Sequence, residues 1–188
     1  MRKLFLSVSS GLLLAFSWTG IGVFPILFFA FVPLLILEDD LQKSADNKKG
    51  RKVFWFSSIA FFIFNAITTY WVYHATLFGA VAAFLVNATL MATVFYIFHK
   101  IKSATTTRLG YLAFITFWIS MEYLHLNWDL SWPWLTLGNG FANIPDAVQW
   151  YEFTGFLGGS LWVLLMNVLV FRLAKQQNLK GRIQSFKF

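Results

Sequence analysis

Glu122 and His125 are the residues of this 188-residue sequence whose types and spacing could do chemistry together. They are three positions apart in an apolar stretch, a spacing that would place both side chains on one helix face, close enough to pair. A carboxylate and an imidazole so placed could act as general acid and base. No nucleophile candidate stands near them, however, and cysteine is absent from the sequence. We therefore predict no catalytic residue and no metal site.

Glu122 has two further interpretations, which the sequence leaves open. In the first, its carboxylate is a hydrogen-bonded anchor that holds the following loop in place. In the second, it takes a direct part in handling a substrate, because a carboxylate at membrane depth is costly and usually functional.

The loop after this pair, residues 127–151, combines large aromatic rings with rigid turns. An aromatic belt at the membrane surface explains the rings. It does not explain Pro133 or the turn-forming Gly138-Asn139-Gly140. Such a loop is suited to guiding a lipid head group or an acyl chain. The candidate residues for lipid or substrate access are Glu122, His125, Trp132, Pro133, Trp134, Gly138 and Asn139.

Composition indicates that these residues are positioned by membrane-spanning helices. Hydrophobic residues make up 58% of the sequence and charged residues 12%, about half the charged share of a soluble domain. We predict one transmembrane domain over residues 1–188, an all-α integral membrane bundle of about six helices whose first two are short and hairpin-like. The predicted spans are residues 4–18, 21–37, 53–73, 75–98, 109–126 and 153–171.

The basic residues predict how this bundle is oriented. All fifteen Lys and Arg residues lie in four short stretches, at residues 2–3, 43–52, 100–108 and 172–187. Basic residues beside membrane spans stay on the cytoplasmic side. Both termini, including the basic tail 172–188, are therefore expected inside, and the cation-free outer loop 127–152 outside. The net charge of +7 then favours anionic lipid head groups as counterions and not nucleic acid.

The first two segments admit more than one arrangement. Both of their outer flanks are basic, so two short spans or one hairpin dipping into the bilayer would satisfy the charge pattern, and we expect two spans. Residues 1–18 also look like a signal peptide. The small residues of a cleavage site are missing around Trp18, so we expect no cleavage.

Charged residues near the inner ends have plain interpretations. Residues 38–52 are expected to form a solvated cytoplasmic loop. His99 neighbours Lys100 and is expected to belong to the cationic end of its span.

Small and amide residues within the spans are expected to pack helices together. Gly155 and Gly159 form a GxxxG pattern that lets the last span approach a neighbouring helix closely. Mid-span amides are expected to make hydrogen bonds between helices. These are Asn65, Asn87 and Asn167.

Several short motifs, in order along the chain, resemble those of the bacterial apolipoprotein N-acyltransferases. The resemblance runs from about residue 4 to residue 171. Where the family has Arg-Gly after its Glu-aromatic-Leu motif, this chain has His125-Leu126, so the role of that arginine does not carry over. The most specific matches are Trp118 with Glu122-Tyr123-Leu124, then Trp132-Pro133-Trp134-Leu135 and Gly138. Weaker ones are Ala15-Phe16-Ser17, Phe24-Pro25, Tyr70-Trp71-Val72-Tyr73 and Ala75-Thr76-Leu77-Phe78-Gly79.

The resemblance implies an acyltransferase of the bacterial cytoplasmic (inner) membrane, multi-pass, which moves an acyl chain from a phospholipid to the N-terminal amine of an apolipoprotein. Family members carry a Glu-Lys-Cys triad in a periplasmic nitrilase-like domain, and this sequence has no cysteine. We therefore expect a membrane domain that anchors a separately encoded nitrilase-like catalytic domain and shapes lipid access. It is not catalytically complete alone. The expected partners are phospholipid, the apolipoprotein substrate and that domain, with no cofactor.

Two other functions remain open. The chain could be a non-catalytic relative that serves as a membrane scaffold or lipid-binding protein. It could also be a small transporter, which the sequence disfavours because the spans hold few charged or paired polar residues to line a path.

Overall fold

The computed structural model is all-helical over the residues it describes, which are 1–18, 23–129 and 131–185, with side chains described through Gln177. This part of the chain contains no strand, and short 3-10 helices connect the α-helices. The prediction of an all-α fold is confirmed. The α-helices are α1 (Arg2–Trp18), α2 (Val32–Lys43), α3 (Lys49–Thr68), α4 (Leu77–Ala104), α5 (Thr107–Leu126) and α6 (Tyr151–Ser185).

Two of the described helices are long and apolar enough to cross a membrane. They are α4, with a mean hydropathy of 2.0, and the Tyr151–Gln177 part of α6, with 1.8. α4 begins at a side-chain cap, where the hydroxyl of Thr76 accepts a hydrogen bond from Gly79 N at 3.3 Å. Such a cap satisfies one of the N–H groups that a helix start leaves free.

The second predicted span, residues 21–37, is wrong as one continuous helix. A 3-10 helix covers Phe24–Phe28, and α2 begins at Val32 and extends to Lys43. Pro25 and Pro33 each stand in the first turn of a helix, where their missing N–H costs nothing and a helix begins readily. Residues 19–22, the predicted turn between the first two spans, lie outside the described residues.

The centre of the bundle is a cluster of aromatic rings contributed by α3, α4, α5 and the turn before α2. Trp118 of α5 lies edge-on to Phe31 with ring centroids 4.9 Å apart, and 5.4 Å from Phe61 of α3. Phe95 of α4 and Phe114 of α5 meet at 5.6 Å. All these rings are fully or almost fully buried. Ring pairs of this geometry contribute about 0.5–1.5 kcal/mol each beyond their buried area, and they fix how α3, α4 and α5 pack.

Some residues of the outer loop are buried in the core, and others are exposed at the surface. Three 3-10 helices run through it, at Pro133–Leu135, Leu137–Phe141 and Pro145–Val148. Leu137 and Phe141 are fully buried, whereas Trp134 is 56% exposed. Only part of this loop is therefore free to meet a lipid, and the rest is packed beneath α6.

Gly155 and Gly159 of α6 do not pack against a neighbouring helix, as the GxxxG pattern had predicted that they would. Gly155 has φ +62° and ψ −177°, a conformation nearly confined to glycine, and it kinks the helix. A side chain on Gly159 would lie 2.9 Å from the Cα of Gly138. Gly159 thus permits close approach to the outer loop, and not to a neighbouring helix as the sequence had suggested.

The inner end of the bundle holds a buried set of charges, which we call the inner ion cluster. The expectation of a solvated loop after residue 37 is wrong for its first part, because Glu38 is fully buried and Asp39 is 8% exposed. They lie on α2, which continues past the apolar residues. The members of the cluster are Glu38, Asp39, His99, Lys102 and Lys175.

Every charge of the inner ion cluster has a partner. Glu38 accepts from Lys102 and lies 2.9 Å from Nδ1 of His99. Asp39 accepts from Lys175 at 2.7 Å and from Lys43 at 2.5 Å. The cluster therefore ties α2 to α4 and α6.

His99 and Asp39 show what this cluster does to its members. His99 lies at the cationic inner end of its helix, as the sequence suggested, and it is 3% exposed and faces Glu38. Burial by itself raises the pKa of Asp39, but hydrogen bonds from Lys175 and Lys43 outweigh it and hold that pKa below its usual value.

Candidate functional site

Glu122 joins α5 to the outer loop. One carboxylate oxygen, Oε1, accepts from Trp118 Nε1 at 3.0 Å and from the backbone N–H of Leu137 at 2.8 Å. The residue is 4% exposed. Leu137 is the first residue of a 3-10 helix of the loop, so its hydrogen bond to Glu122 fixes where that helix begins. This geometry supports the interpretation of Glu122 as a loop anchor.

The other carboxylate oxygen of Glu122 is not used in this way. Oε2 is buried without a hydrogen bond of normal geometry among the described residues. The hydroxyl of Ser160 on α6 is a neighbouring group that interacts with the carboxyl. That hydroxyl also accepts from Gly138 N at 3.0 Å. One carboxylate oxygen thus holds the outer loop to α5, whereas the other has no such bond.

His125 pairs with a different residue from the one that spacing suggested. Its Nε2 lies 2.7 Å from Oδ1 of Asn87 on α4, so the predicted pairing with Glu122 is wrong. The ring also rests against Trp128 with centroids 5.2 Å apart. Within the described part of the chain, Nδ1 is buried without a partner. Because Oδ1 can only accept, Nε2 carries the proton, and Nδ1 of the neutral ring is an acceptor.

A small cavity brings the unused polar atoms together, and we call it the outer cavity. Its volume is about 20 Å³, room for one polar atom with its hydrogens. Asn87, Glu122, His125 and Trp132 line it together with apolar side chains. Glu122 Oε2, His125 Nδ1 and Trp132 Nε1 are all buried and unpartnered among the described residues. The residues around the cavity therefore hold two acceptors and one donor without hydrogen bonds of normal geometry.

Two larger grooves adjoin the outer cavity and share His125 as a lining residue. One, of about 370 Å³, runs along α4 past Gly79, Ala82 and Ala83 to Trp132. The other, of about 410 Å³, lies between α4 and α5 and extends from Trp128 towards Phe117. Both are lined mainly by apolar side chains. The polar outer cavity lies beside two apolar grooves, an arrangement that suits a ligand with a polar head and apolar chains.

The structure brings together three of the seven predicted access residues. Glu122, His125 and Trp132 line the outer cavity, and their role in access stays a prediction. Pro133 and Trp134 are exposed on the loop, where Trp134 meets Trp71 edge-on with centroids 5.7 Å apart.

The remaining two predicted residues support the loop. Gly138 is buried, and a side chain there would lie 1.8 Å from the carbonyl oxygen of Phe156. The side chain of Asn139 donates to the carbonyl of Pro133 at 2.9 Å. Both contacts hold the loop's fold, and neither residue lines the outer cavity.

The interpretation of the three mid-span amides as hydrogen-bonding groups between helices is confirmed. Asn65 of α3 donates to Sδ of Met91 on α4 at 3.7 Å. Asn87 bonds to His125 across the α4–α5 contact. Asn167 of α6 donates to the carbonyl of Leu27 at 2.8 Å and accepts from Phe31 N at 2.9 Å. Sequence reasoning found Asn87 as an amide but missed its place in the site, because nothing in its spacing says which helix lies opposite.

Comparison with known proteins identifies the class to which this fold and site belong. Residues 10–169 match the family described as apolipoprotein N-acyltransferase N-terminal domain. The match covers most of the chain and all the residues of the outer cavity. The chain belongs to this family, as its motifs had suggested.

Two curated relatives are named apolipoprotein N-acyltransferase. The protein from Chlorobaculum tepidum is 32% identical over 90% of this chain and 31% of its own length. The one from Geobacter metallireducens is 26% identical over 93% of this chain and 34% of its own length. The chain thus spans about a third of the length of these relatives. No solved structure matches it significantly.

Proposed function

We propose that this chain is the multi-pass membrane domain of an apolipoprotein N-acyltransferase system in the bacterial cytoplasmic membrane. Its task is to anchor the catalytic groups at the outer face and to give a phospholipid acyl donor access to them. The relatives' name supplies the reaction, acyl transfer to apolipoproteins. The observation that carries the access role is the outer cavity, where three unpartnered polar atoms open between two apolar grooves.

The chemistry of transfer is assigned to residues outside this sequence. These 188 residues include no cysteine to carry an acyl group as a thioester. Glu122 and His125 do not form an acid–base pair, because His125 is turned to Asn87. A nitrilase-like domain outside these 188 residues is the proposed source of the nucleophile.

A six-crossing arrangement with both termini inside is part of this proposal. The helical lengths support α4 and α6 as spans. α2 has 12 residues and is too short to cross alone, so the proposed second crossing takes the 3-10 helix Phe24–Phe28 together with α2. The inner ion cluster lies at the end where the sequence places its basic stretches, which fits a cytoplasmic position.

The natural lack of cysteine makes the orientation directly testable. Single substitutions Ser44→Cys and Asn143→Cys place one thiol on each predicted side. A membrane-impermeant maleimide added to intact spheroplasts should label Asn143→Cys at once and Ser44→Cys only after lysis. Labelling of Ser44→Cys in intact spheroplasts would contradict the orientation.

The functional role is tested in cells depleted of their own N-acyltransferase. The chain is expressed with and without a nitrilase-like partner, and N-acylation of a lipoprotein is measured by mass spectrometry. We expect acylation only when both are present. Acylation by this chain alone would contradict the assigned division of labour, whereas none in either case, despite correct insertion, would favour the non-catalytic scaffold.

A further inference from the structure

We propose that the inner end of α3 carries a binding site for one anionic phospholipid of the cytoplasmic leaflet. The site is a surface groove of about 600 Å³, which we call the inner groove, lined by Lys48, Arg51, Lys52, Phe54 and Trp55. Ligand sites usually have volumes of about 300–1,000 Å³. This lipid is a structural ligand of the membrane domain. It is distinct from the acyl donor, which the proposed function places at the opposite end of the bundle.

The basic stretch 43–52 leaves two cations without a counter-charge. Three of its five basic residues have partners within the protein: Lys43 pairs with Asp39, Lys52 with Asp46, and Lys49 with the carbonyl of Gln42. Lys48 and Arg51 are exposed, and among the described residues neither forms an ion pair. Both line the inner groove. Two positive charges are therefore free there for an anionic ligand.

Asp46 fixes the turn that carries Lys48. Its Oδ2 accepts from Lys52, and its Oδ1 accepts from the backbone N–H of Lys48 at 2.8 Å. These two hydrogen bonds hold the pKa of Asp46 below its usual value, so the carboxylate is charged at neutral pH. The rim of the inner groove is thus held in place before a ligand binds, which lowers the cost of binding.

The two free cations suit the phosphate of an anionic head group. A guanidinium such as that of Arg51 donates two parallel hydrogen bonds to phosphate oxygens, and the ammonium of Lys48 adds a point charge. A zwitterionic head would bring its own ammonium close to both cations, and like charges at short distance repel. The inner groove should therefore prefer a lipid whose head carries a net negative charge.

The exposed face of α3 beyond these cations is apolar, which favours a lipid over a soluble anion. Trp55 is 64% exposed and lies one helical turn from Arg51, and Phe62 further along is 41% exposed. Tryptophan favours the head-group level of a membrane, and long basic side chains extend from apolar surface to charged groups. A free phosphate would use only the cations. A phospholipid would cover the cations and the exposed rings together.

Binding is measured by native mass spectrometry of the full chain in detergent, titrated with phosphatidylglycerol or with phosphatidylethanolamine. The spectra resolve protein that carries no lipid, one lipid or more. We expect the first phosphatidylglycerol to bind about fivefold more tightly than the first phosphatidylethanolamine, the effect of one basic residue near an anionic surface. An excess of inorganic phosphate should not displace it, because free phosphate leaves the exposed rings uncovered.

Arg51→Gln and Arg108→Gln form a matched pair. Each removes one positive charge from an exposed residue at the inner end, but Arg51 lines the inner groove and Arg108 does not. Arg51→Gln should weaken the first phosphatidylglycerol about fivefold, whereas Arg108→Gln should leave it unchanged. Trp55→Ala should also weaken it, through the lost ring. The unfolding temperature of each variant, measured on the same samples, shows that it is folded.

Each outcome supports or overturns this site. Equal losses for Arg51→Gln and Arg108→Gln would overturn it, because the lipid would then respond only to the overall charge. Equal affinity for the two lipids, or displacement by inorganic phosphate, would overturn it as well. The proposal takes its leaflet from the orientation proposed above. Binding in detergent does not depend on that orientation, so failure of the site is distinct from failure of the cysteine labelling or of acylation in cells.

Discussion

The two ends of this bundle treat buried polar groups in opposite ways. At the inner end, Glu38 and Asp39 are buried and each has at least two charged or ionisable partners. At the outer end, Glu122 is equally buried, yet its contacts are neutral donors and one of its oxygens has no hydrogen bond of normal geometry among the described residues. A completed ion network holds helices together, whereas an incomplete polar set has capacity left for a ligand.

Substituting Glu38 should have the largest effect on stability. Glu38→Gln keeps the shape of the side chain but leaves Lys102, 4% exposed at its side chain, without its main counter-charge. Breaking one partner of a buried ion pair costs about 3–5 kcal/mol. Thermal unfolding in detergent, followed by circular dichroism, measures the loss. The control is Asp40→Asn, whose partner Arg2 is 71% exposed, and which should cost no more than about 1 kcal/mol.

A glycine that supports the outer loop should rank second. Gly138→Ala places a methyl group 1.8 Å from the carbonyl oxygen of Phe156, so backbone must move, at a cost of about 1–3 kcal/mol. Gly140→Ala is the matched control, because its methyl group would meet side-chain atoms, Leu27 Cδ2 at 2.7 Å and the Trp18 ring at 3.2 Å, and not backbone. Equal unfolding temperatures for the two variants would show that the close Gly138 contact carries no weight.

Acid should weaken the inner ion cluster through Asp39. Its pKa in the folded protein lies below its usual value, about 3.9 in an unfolded chain. The stability that this carboxylate contributes is therefore present above about pH 4 and is lost as the pH falls through the folded value. Unfolding temperatures measured from pH 6 to pH 3 should fall less steeply for Asp39→Asn than for wild type. Parallel profiles would contradict the prediction.

The smallest effect on stability is expected for the same chemical change at the outer end. Glu122→Gln keeps a carbonyl oxygen that can accept from Trp118 and Leu137. Among the described residues no cation lies against this carboxyl to lose its partner, so the cost should be about 1 kcal/mol or less. A loss as large as that of Glu38→Gln, in the same unfolding assay, would remove the distinction between the two ends.

The sequence predicted features of these two regions that depend on neighbouring residues, and it missed contacts between residues far apart in the chain. Helix positions followed from apolar runs, and a loop anchor was one of the interpretations of Glu122 that the sequence left open. The inner ion cluster was missed because Glu38 meets Lys102 only when α2 continues beyond its apolar residues. Local composition there indicated a solvated loop, and tertiary pairing decided otherwise.

The outer site shows the same limit in another form. Spacing placed Glu122 and His125 on one face of α5. It could not predict that the imidazole of His125 would hydrogen-bond to Asn87 of α4. The glycine pattern of α6 likewise predicted a helical neighbour, and Gly159 instead approaches the loop at Gly138. In both cases the partner is set by which elements pack, a property that pattern reading along one segment does not contain.

The central claim is that the inner ion cluster holds the fold and the outer end binds lipid, and one paired measurement tests it. Unfolding temperature and the association of a phospholipid that carries a nitroxide on one acyl chain are determined on the same samples of Glu38→Gln and Trp132→Phe, reconstituted in vesicles. The indole nitrogen of Trp132 has no partner within the described protein, so removing it should leave stability unchanged and weaken the lipid, while Glu38→Gln should lower the unfolding temperature. A Trp132→Phe protein that unfolds earlier and binds lipid as well as wild type would contradict the account.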